Sequence, residues 1–143
     1  MDYEAVKTKL LWAWAHGDGD PVVAAELYHD DALVEFPQSG ERFRGRDNFT
    51  VWRADYPSEV EFELRSLRGE GDLWVGEGLA RYDGGDPLSF VFIQQYRDGR
   101  IERETIYVTE PFPADEARAP YAEPSELDAT PGLPVRVIAG SAA

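Results

Sequence analysis

Residues 88–109 read LSFVFIQQYR, then DG, then RIERETIYVT. Phe90, Phe92 and Tyr96 fall on alternate positions before Asp98-Gly99, and Glu104, Ile106 and Val108 do so after it. A period of two belongs to strands, whose successive side chains point to opposite faces. Asp98-Gly99 is the two-residue signal of a type I′ hairpin turn. The stretch is therefore two antiparallel strands, Leu88 to Arg97 and Arg100 to Thr109. The same alternation runs back through Asp72 to Tyr82 and Val60 to Leu67. The turns between are Gly69-Glu70-Gly71 and the Asp83-Gly84-Gly85-Asp86 loop. Four such strands in succession make an antiparallel meander.

Upstream the period changes. Tyr3, Val6, Leu10 and Trp14 recur at helical steps, widened by Leu11 and Ala13, and Gly17 is a natural stop. Asp20-Pro21 reads as an N-cap followed by proline in the first helical position. Val23 and Leu27 give this second helix a buried side, and its end is expected near Tyr28-His29 with Asp30-Asp31 in the turn. Leu33 to Phe36 is a short strand stopped by Pro37, and Gln38 to Arg44 a loop. A third helix is predicted over Arg46 to Tyr56, with Phe49, Trp52 and Tyr56 on one face. Helices first and a meander afterwards describe an α+β domain.

From Pro111 onward, prolines at 111, 113, 120, 124, 131 and 134 forbid a long regular element. Val135-Arg136-Val137-Ile138 is the one apolar cluster there; it reads as an edge strand, a patch for a partner subunit, or part of a disordered tail. The division expected is a domain over 1–112 and a proline-rich extension over 113–143, partly disordered or docked on the domain or a partner.

The chain has 143 residues, enough for one domain with a core. Its formal net charge of −14 repels phosphate backbones and anionic lipid, so neither nucleic acid nor membrane is an expected partner. No apolar run approaches the roughly 20 residues of a membrane span. Met1-Asp2-Tyr3-Glu4 lacks the features of a secretory signal, and a cytoplasmic location is the expectation. With no cysteine, disulfides and thiolate chemistry are excluded. His16 and His29 match no metal-ligand spacing and read as surface residues at helix ends; no metal and no cofactor are expected.

Four short stretches carry a family resemblance: Ala15-His16-Gly17-Asp18 with Asp20, Leu27 to Glu35, Phe43-Arg44-Gly45-Arg46, and Tyr96 to Ile101. In that order and spacing they resemble the SnoaL-like branch of the nuclear transport factor 2-like superfamily, which also holds the ketosteroid isomerases. The resemblance covers about residues 3 to 112. It implies a strongly curved antiparallel sheet with three N-terminal helices packed over it, cone-like with an internal pocket, and often a homodimer. It does not imply one activity. The positions matching the isomerases' catalytic aspartate, tyrosine and protonated aspartate are Phe36, Leu10 and Gln94, which makes that activity improbable. The aspartate–arginine–aspartate set of the limonene-epoxide hydrolases is not found at matching strand positions.

Strand parity gives the expected pocket lining. If Phe36 and Gln94 point inward, so do Val34, Phe90, Phe92 and Tyr96. Trp74, Gly76, Gly78, Ala80 and Tyr82 share one parity, and the small residues among them leave volume or let the sheet bend. Glu104, Ile106 and Val108 follow from the Asp98-Gly99 register, while a slip of one residue brings in Arg103, Thr105 and Tyr107 instead. Phe62 and Leu64 complete the wall, with Trp14, Trp52 and Tyr56 from the helices. Ligand-binding residues are thus Trp14, Phe36, Trp52, Tyr56, Phe62, Trp74, Phe90, Phe92 and Ile106. The catalytic candidates are Glu104, a carboxylate in an apolar wall suited to general acid–base work, and Gln94, which would orient a carbonyl or hydroxyl. Glu104 instead paired to Arg53 or Arg103, or set at a wet rim, would be structural. Tyr28 reads as core, Asp31 as a turn cap, and Glu35 as an outward charge. Three functions are open: a cofactor-free acid–base enzyme (isomerase, cyclase, dehydratase or hydrolase) acting on a small apolar carbonyl- or hydroxyl-bearing compound; a non-catalytic binder of such a small apolar ligand; and a dimeric interaction domain.

Overall fold

Asp2 and Asp20 each turn a carboxylate back onto a first-turn backbone N–H, that of Ala5 and of Val22, both at 2.8 Å. These caps start helices α1 (Tyr3–His16) and α2 (Pro21–Leu27). Strands β1 (Tyr28–Phe36) and β2 (Glu41–Arg44), helix α3 (Arg46–Ala54), and strands β3 (Val60–Glu70), β4 (Leu73–Tyr82), β5 (Leu88–Arg97), β6 (Arg100–Thr109) and β7 (Val135–Ile138) follow. A computed structural model of the protein describes residues 1–17, 19–56, 58–125 and 130–138; Asp18, used in the reading above, lies outside the described residues.

The seven strands form one curved sheet in the order β2-β1-β6-β5-β4-β3-β7. The hairpin register is the one the turn implies: Gln94 stands opposite Glu104 and Phe92 opposite Ile106, with Asp98 and Gly99 at φ 50° and 78°. The sheet is mixed, not wholly antiparallel, because β1 runs parallel to β6. That pairing also corrects two boundaries. Tyr28 pairs with Ile101, so the chain leaves α2 directly into β1: Tyr28 and His29 lie on the strand rather than at the helix end, and Asp30 and Asp31 on the strand rather than in a turn. Residues 41–44, expected in a loop, form an edge strand on β1, where Phe43 packs its ring against Phe36 and Trp52. The third helix ends at Ala54, two residues short of the expected boundary. The apolar cluster 135–138 pairs antiparallel with β3.

The helices lie on one face of the sheet and the core fills the space between. Val6, Leu10, Val34, Phe49, Leu64 and Ile101 are almost wholly buried there. Gly76 and Gly78 do not leave free volume. A Cβ on Gly76 would stand 2.0 Å from the Phe92 ring, and one on Gly78 would stand 2.0 Å from the Glu63 carbonyl oxygen and 2.9 Å from the Phe90 ring. Glycine here lets two phenylalanines of β5 lie flat over β4 and lets β3 bend inward at its bulge between Leu64 and Ser66. No helix among the described residues is long and apolar enough to cross a membrane.

Candidate functional site

Between the helices and the concave face of the sheet is a cavity of about 550 Å³. Its wall is largely aromatic. Trp14 of α1 stacks on Phe62 of β3 at 5.0 Å and meets Phe90 and Phe92 edge-on, each at 6.0 Å. At the opening, Phe36, Trp52, Tyr56 and Tyr82 form a chain of ring contacts, with Trp52 39% and Tyr56 46% exposed. Ile106 and Val108 of β6 complete the apolar lining.

One end of the cavity is polar and built from four elements. Glu104 of β6 is 4% exposed. Tyr28, at the start of β1, donates its hydroxyl to Glu104 Oε1 at 2.6 Å. Gln94 of β5 donates its amide to Glu104 Oε2, and its own carbonyl accepts the Tyr96 hydroxyl at 2.8 Å. Arg53, in the last turn of α3, places Nη2 3.6 Å from Glu104 Oε1 and donates through Nη1 to the Tyr28 oxygen at 3.1 Å. Its guanidinium also lies 5.0 Å from the Phe49 ring centre. Every one of these groups facing Glu104 is a donor. A carboxylate has about four acceptor positions, so the set leaves Glu104 capacity for a further donor.

Burial holds the Tyr28 hydroxyl well above the ordinary tyrosine range; Arg53 opposes this and Glu104 adds to it. Burial, then the Glu104 charge, raises Tyr96 also. Both phenols are donors at neutral pH. The folded protein keeps the Tyr28 proton where an unfolded chain, near pH 10, loses it. Stability from this source is therefore complete below about pH 10 and is lost above it, at up to about 1.4 kcal/mol per pH unit. The unfolding free energy of the wild type should fall more steeply with alkali than that of Tyr28→Phe, measured in urea; equal slopes would contradict this assignment.

The structure brings together Trp14, Phe36, Trp52, Tyr56, Phe62, Phe90, Phe92, Gln94, Glu104 and Ile106 around one cavity. Trp74 is not among them. It is buried elsewhere, against the Gly69 backbone, with Nε1 donating to the Gly71 carbonyl at 2.8 Å. Val34, Leu64 and Tyr96 face inward but are covered as core. Asp31 is a surface partner of Arg97, and Glu35 pairs on the outer face with Arg103. His16 reaches the cavity rim, and His29 bonds the Arg97 carbonyl. Among the described residues no cluster of His, Asp or Glu can hold a metal ion. Tyr28, expected as core at the end of the second helix, is a site residue that the sequence reading misses: β1 begins at Tyr28, well before the expected start at Leu33, and carries it on the same parity as Phe36.

Residues 8–104 match the model of the SnoaL-like domain. The chain belongs to this family. A nuclear transport factor 2-like protein of unknown function from Burkholderia xenovorans is 35% identical, over 86% of this chain and 97% of that one, with a TM-score of 0.72. A candidate ketosteroid isomerase from Kribbella flavida is 25% identical, over 87% and 91%, with a TM-score of 0.76. An epoxide hydrolase from Mycobacterium tuberculosis, 23% identical over 73% and 80% with a TM-score of 0.59, shares the fold alone. No functionally curated protein matches the chain. This SnoaL-like domain thus has a fold whose members include isomerases, cyclases and epoxide hydrolases.

Proposed function

We propose that the protein is a cofactor-independent acid–base enzyme acting on a small, uncharged, mostly apolar compound bearing a carbonyl or hydroxyl group. The observation that carries this is the Glu104 carboxylate, buried at the end of an aromatic cavity and faced only by donors. Glu104 takes a proton from the bound compound and returns it. Tyr28 and Gln94 hold the carboxylate in one orientation, and Arg53 offsets its charge as well as any negative charge that develops beside it. The Glu104–Arg53 pair leaves the polar end with no net charge, which favours a neutral ligand over an ionic one. The aromatic wall supplies most of the binding.

Trp14 and Trp52 line the cavity, so their fluorescence reports its occupancy. Titration with 2-naphthol and with naphthalene should show the hydroxyl compound preferred by about tenfold, the worth of one hydrogen bond to a charged acceptor. Glu104→Leu should abolish most of that preference and leave naphthalene binding nearly unchanged. An unaltered preference in Glu104→Leu would contradict a polar end at Glu104.

A further inference from the structure

Arg53 reaches Glu104 from the least anchored part of its helix. It lies in the last turn of α3, which ends at Ala54, and the final carbonyls of a helix lack partners further along it. The Arg53 carbonyl accepts from the Tyr56 N–H at 3.2 Å, a turn bond and not a helical one. Helix ends of this kind fray, and tertiary packing is what holds them.

The packing comes from the junction between α1 and α2. Gly17 N–H bonds the Ala13 carbonyl at 2.9 Å and closes α1. Asp20 N–H bonds the Gly17 carbonyl at 3.1 Å, and the Asp20 carboxylate caps α2. Gly19 is thus carried between two closed helix ends. A Cβ on Gly19 would stand 2.7 Å from both the Cα and the N of Ala54 and 3.1 Å from the carbonyl carbon of Arg53. All three atoms are backbone, so no side chain can rotate out of the way. The bare backbone of Gly19 is therefore laid directly on the Arg53–Ala54 peptide.

The far end of Arg53 is held as firmly. Its side chain is 8% exposed. The guanidinium stands 5.0 Å from the Phe49 ring centre, 5.7 Å from that of Tyr28 and 5.9 Å from that of Trp52. Its Nη2 is 3.6 Å from Glu104 Oε1, close to the roughly 4 Å at which an ion pair ceases to be one.

We infer that Gly19 is a positioning residue for the polar end of the cavity, acting through Arg53. The missing side chain lets the α1–α2 junction hold the Arg53 backbone at the depth from which its guanidinium reaches Glu104. A methyl group at Gly19 parts the two backbones by about 1 Å before ordinary contact is restored. A retreat of that size takes Arg53 out of range of Glu104. The consequence for turnover rests on the acid–base reading of Glu104; the coupling to the ion pair does not.

The test places Gly19→Ala in the wild type and in a background carrying Arg53→Met with Glu104→Gln. That background removes both charges together, so neither is left buried alone. Unfolding of the full chain in urea should show a midpoint shift from Gly19→Ala at least about twofold larger in the wild type, because only steric crowding remains in the background. Equal shifts overturn the inference and leave Gly19 a packing residue alone. In deuterium oxide, α-hydrogen exchange of 2-tetralone at saturation should slow at least about tenfold in Gly19→Ala, with KM little changed. An unchanged rate also overturns it. A wild type that gives no exchange counts against the acid–base reading, and the urea comparison then decides this inference by itself.

Discussion

Gly78→Ala should cost the protein about 3 kcal/mol, the upper end for overpacking a dense core, and lower its melting temperature by roughly 10 °C. The new methyl group would sit 2.0 Å from the Glu63 carbonyl oxygen. That oxygen belongs to the backbone of β3 just before its bulge, so relief requires the bend of the sheet to open. Gly76→Ala meets a different obstacle, the far end of the Phe92 ring. A ring can turn into the adjoining cavity. Phe92→Leu should therefore rescue much of the loss in Gly76→Ala, whereas Phe90→Leu should rescue little in Gly78→Ala. Differential scanning calorimetry of the single and double variants measures both couplings. Similar rescue at the two sites would show that Gly78 is needed for the Phe90 ring alone and not for the curvature.

Those glycines illustrate which parts of the structure were legible beforehand. Alternation in residues 60–109 and the Asp98-Gly99 turn suffice for four strands and their inward faces, because register in a hairpin follows from its turn. Hence parity and the turn placed Gln94, Glu104, Ile106, Phe90 and Phe92 on one wall, once the resemblance gave Gln94 as inward. The small residues of β4 were equally visible, but whether they make space or accept a neighbour depends on ring positions across the strand. Trp74 was assigned to the cavity for the same reason. What parity cannot reach is the parallel pairing of β1 with β6, a contact between segments some seventy residues apart. Tyr28 enters the site through that pairing, and Arg53 enters through the docking of α3. Arg53 was foreseen only as one of two possible partners of Glu104. The ion pair that forms also bears on function: in a cavity wall, with a tyrosine and an amide sharing the carboxylate, it sets a charge-balanced end to an apolar chamber.

Loss of the Glu104 carboxylate should have the largest effect on chemistry. Glu104→Gln keeps the size of the side chain and an oxygen that can accept from Tyr28, but it cannot take up a proton. General-base catalysis contributes about 10²–10⁴-fold to a rate. The reaction that isolates this step needs no knowledge of the natural substrate. A cyclic ketone such as 2-tetralone, incubated with the protein in deuterium oxide, exchanges its α-hydrogens if a base in the cavity removes one. In that step the C–H bond breaks, its electrons pass to the carbonyl oxygen, and the proton goes to the carboxylate. Exchange with solvent and return of deuterium to carbon complete the cycle. The rate of deuterium incorporation, followed by proton nuclear magnetic resonance, is the most direct measure of whether Glu104 acts as a base. Wild-type protein should accelerate incorporation well above buffer, and Glu104→Gln should lower that acceleration by at least about 100-fold while still binding the ketone. Incorporation at the buffer rate with the ketone bound, or equal in wild type and Glu104→Gln, would contradict the assignment of Glu104 as the acid–base group.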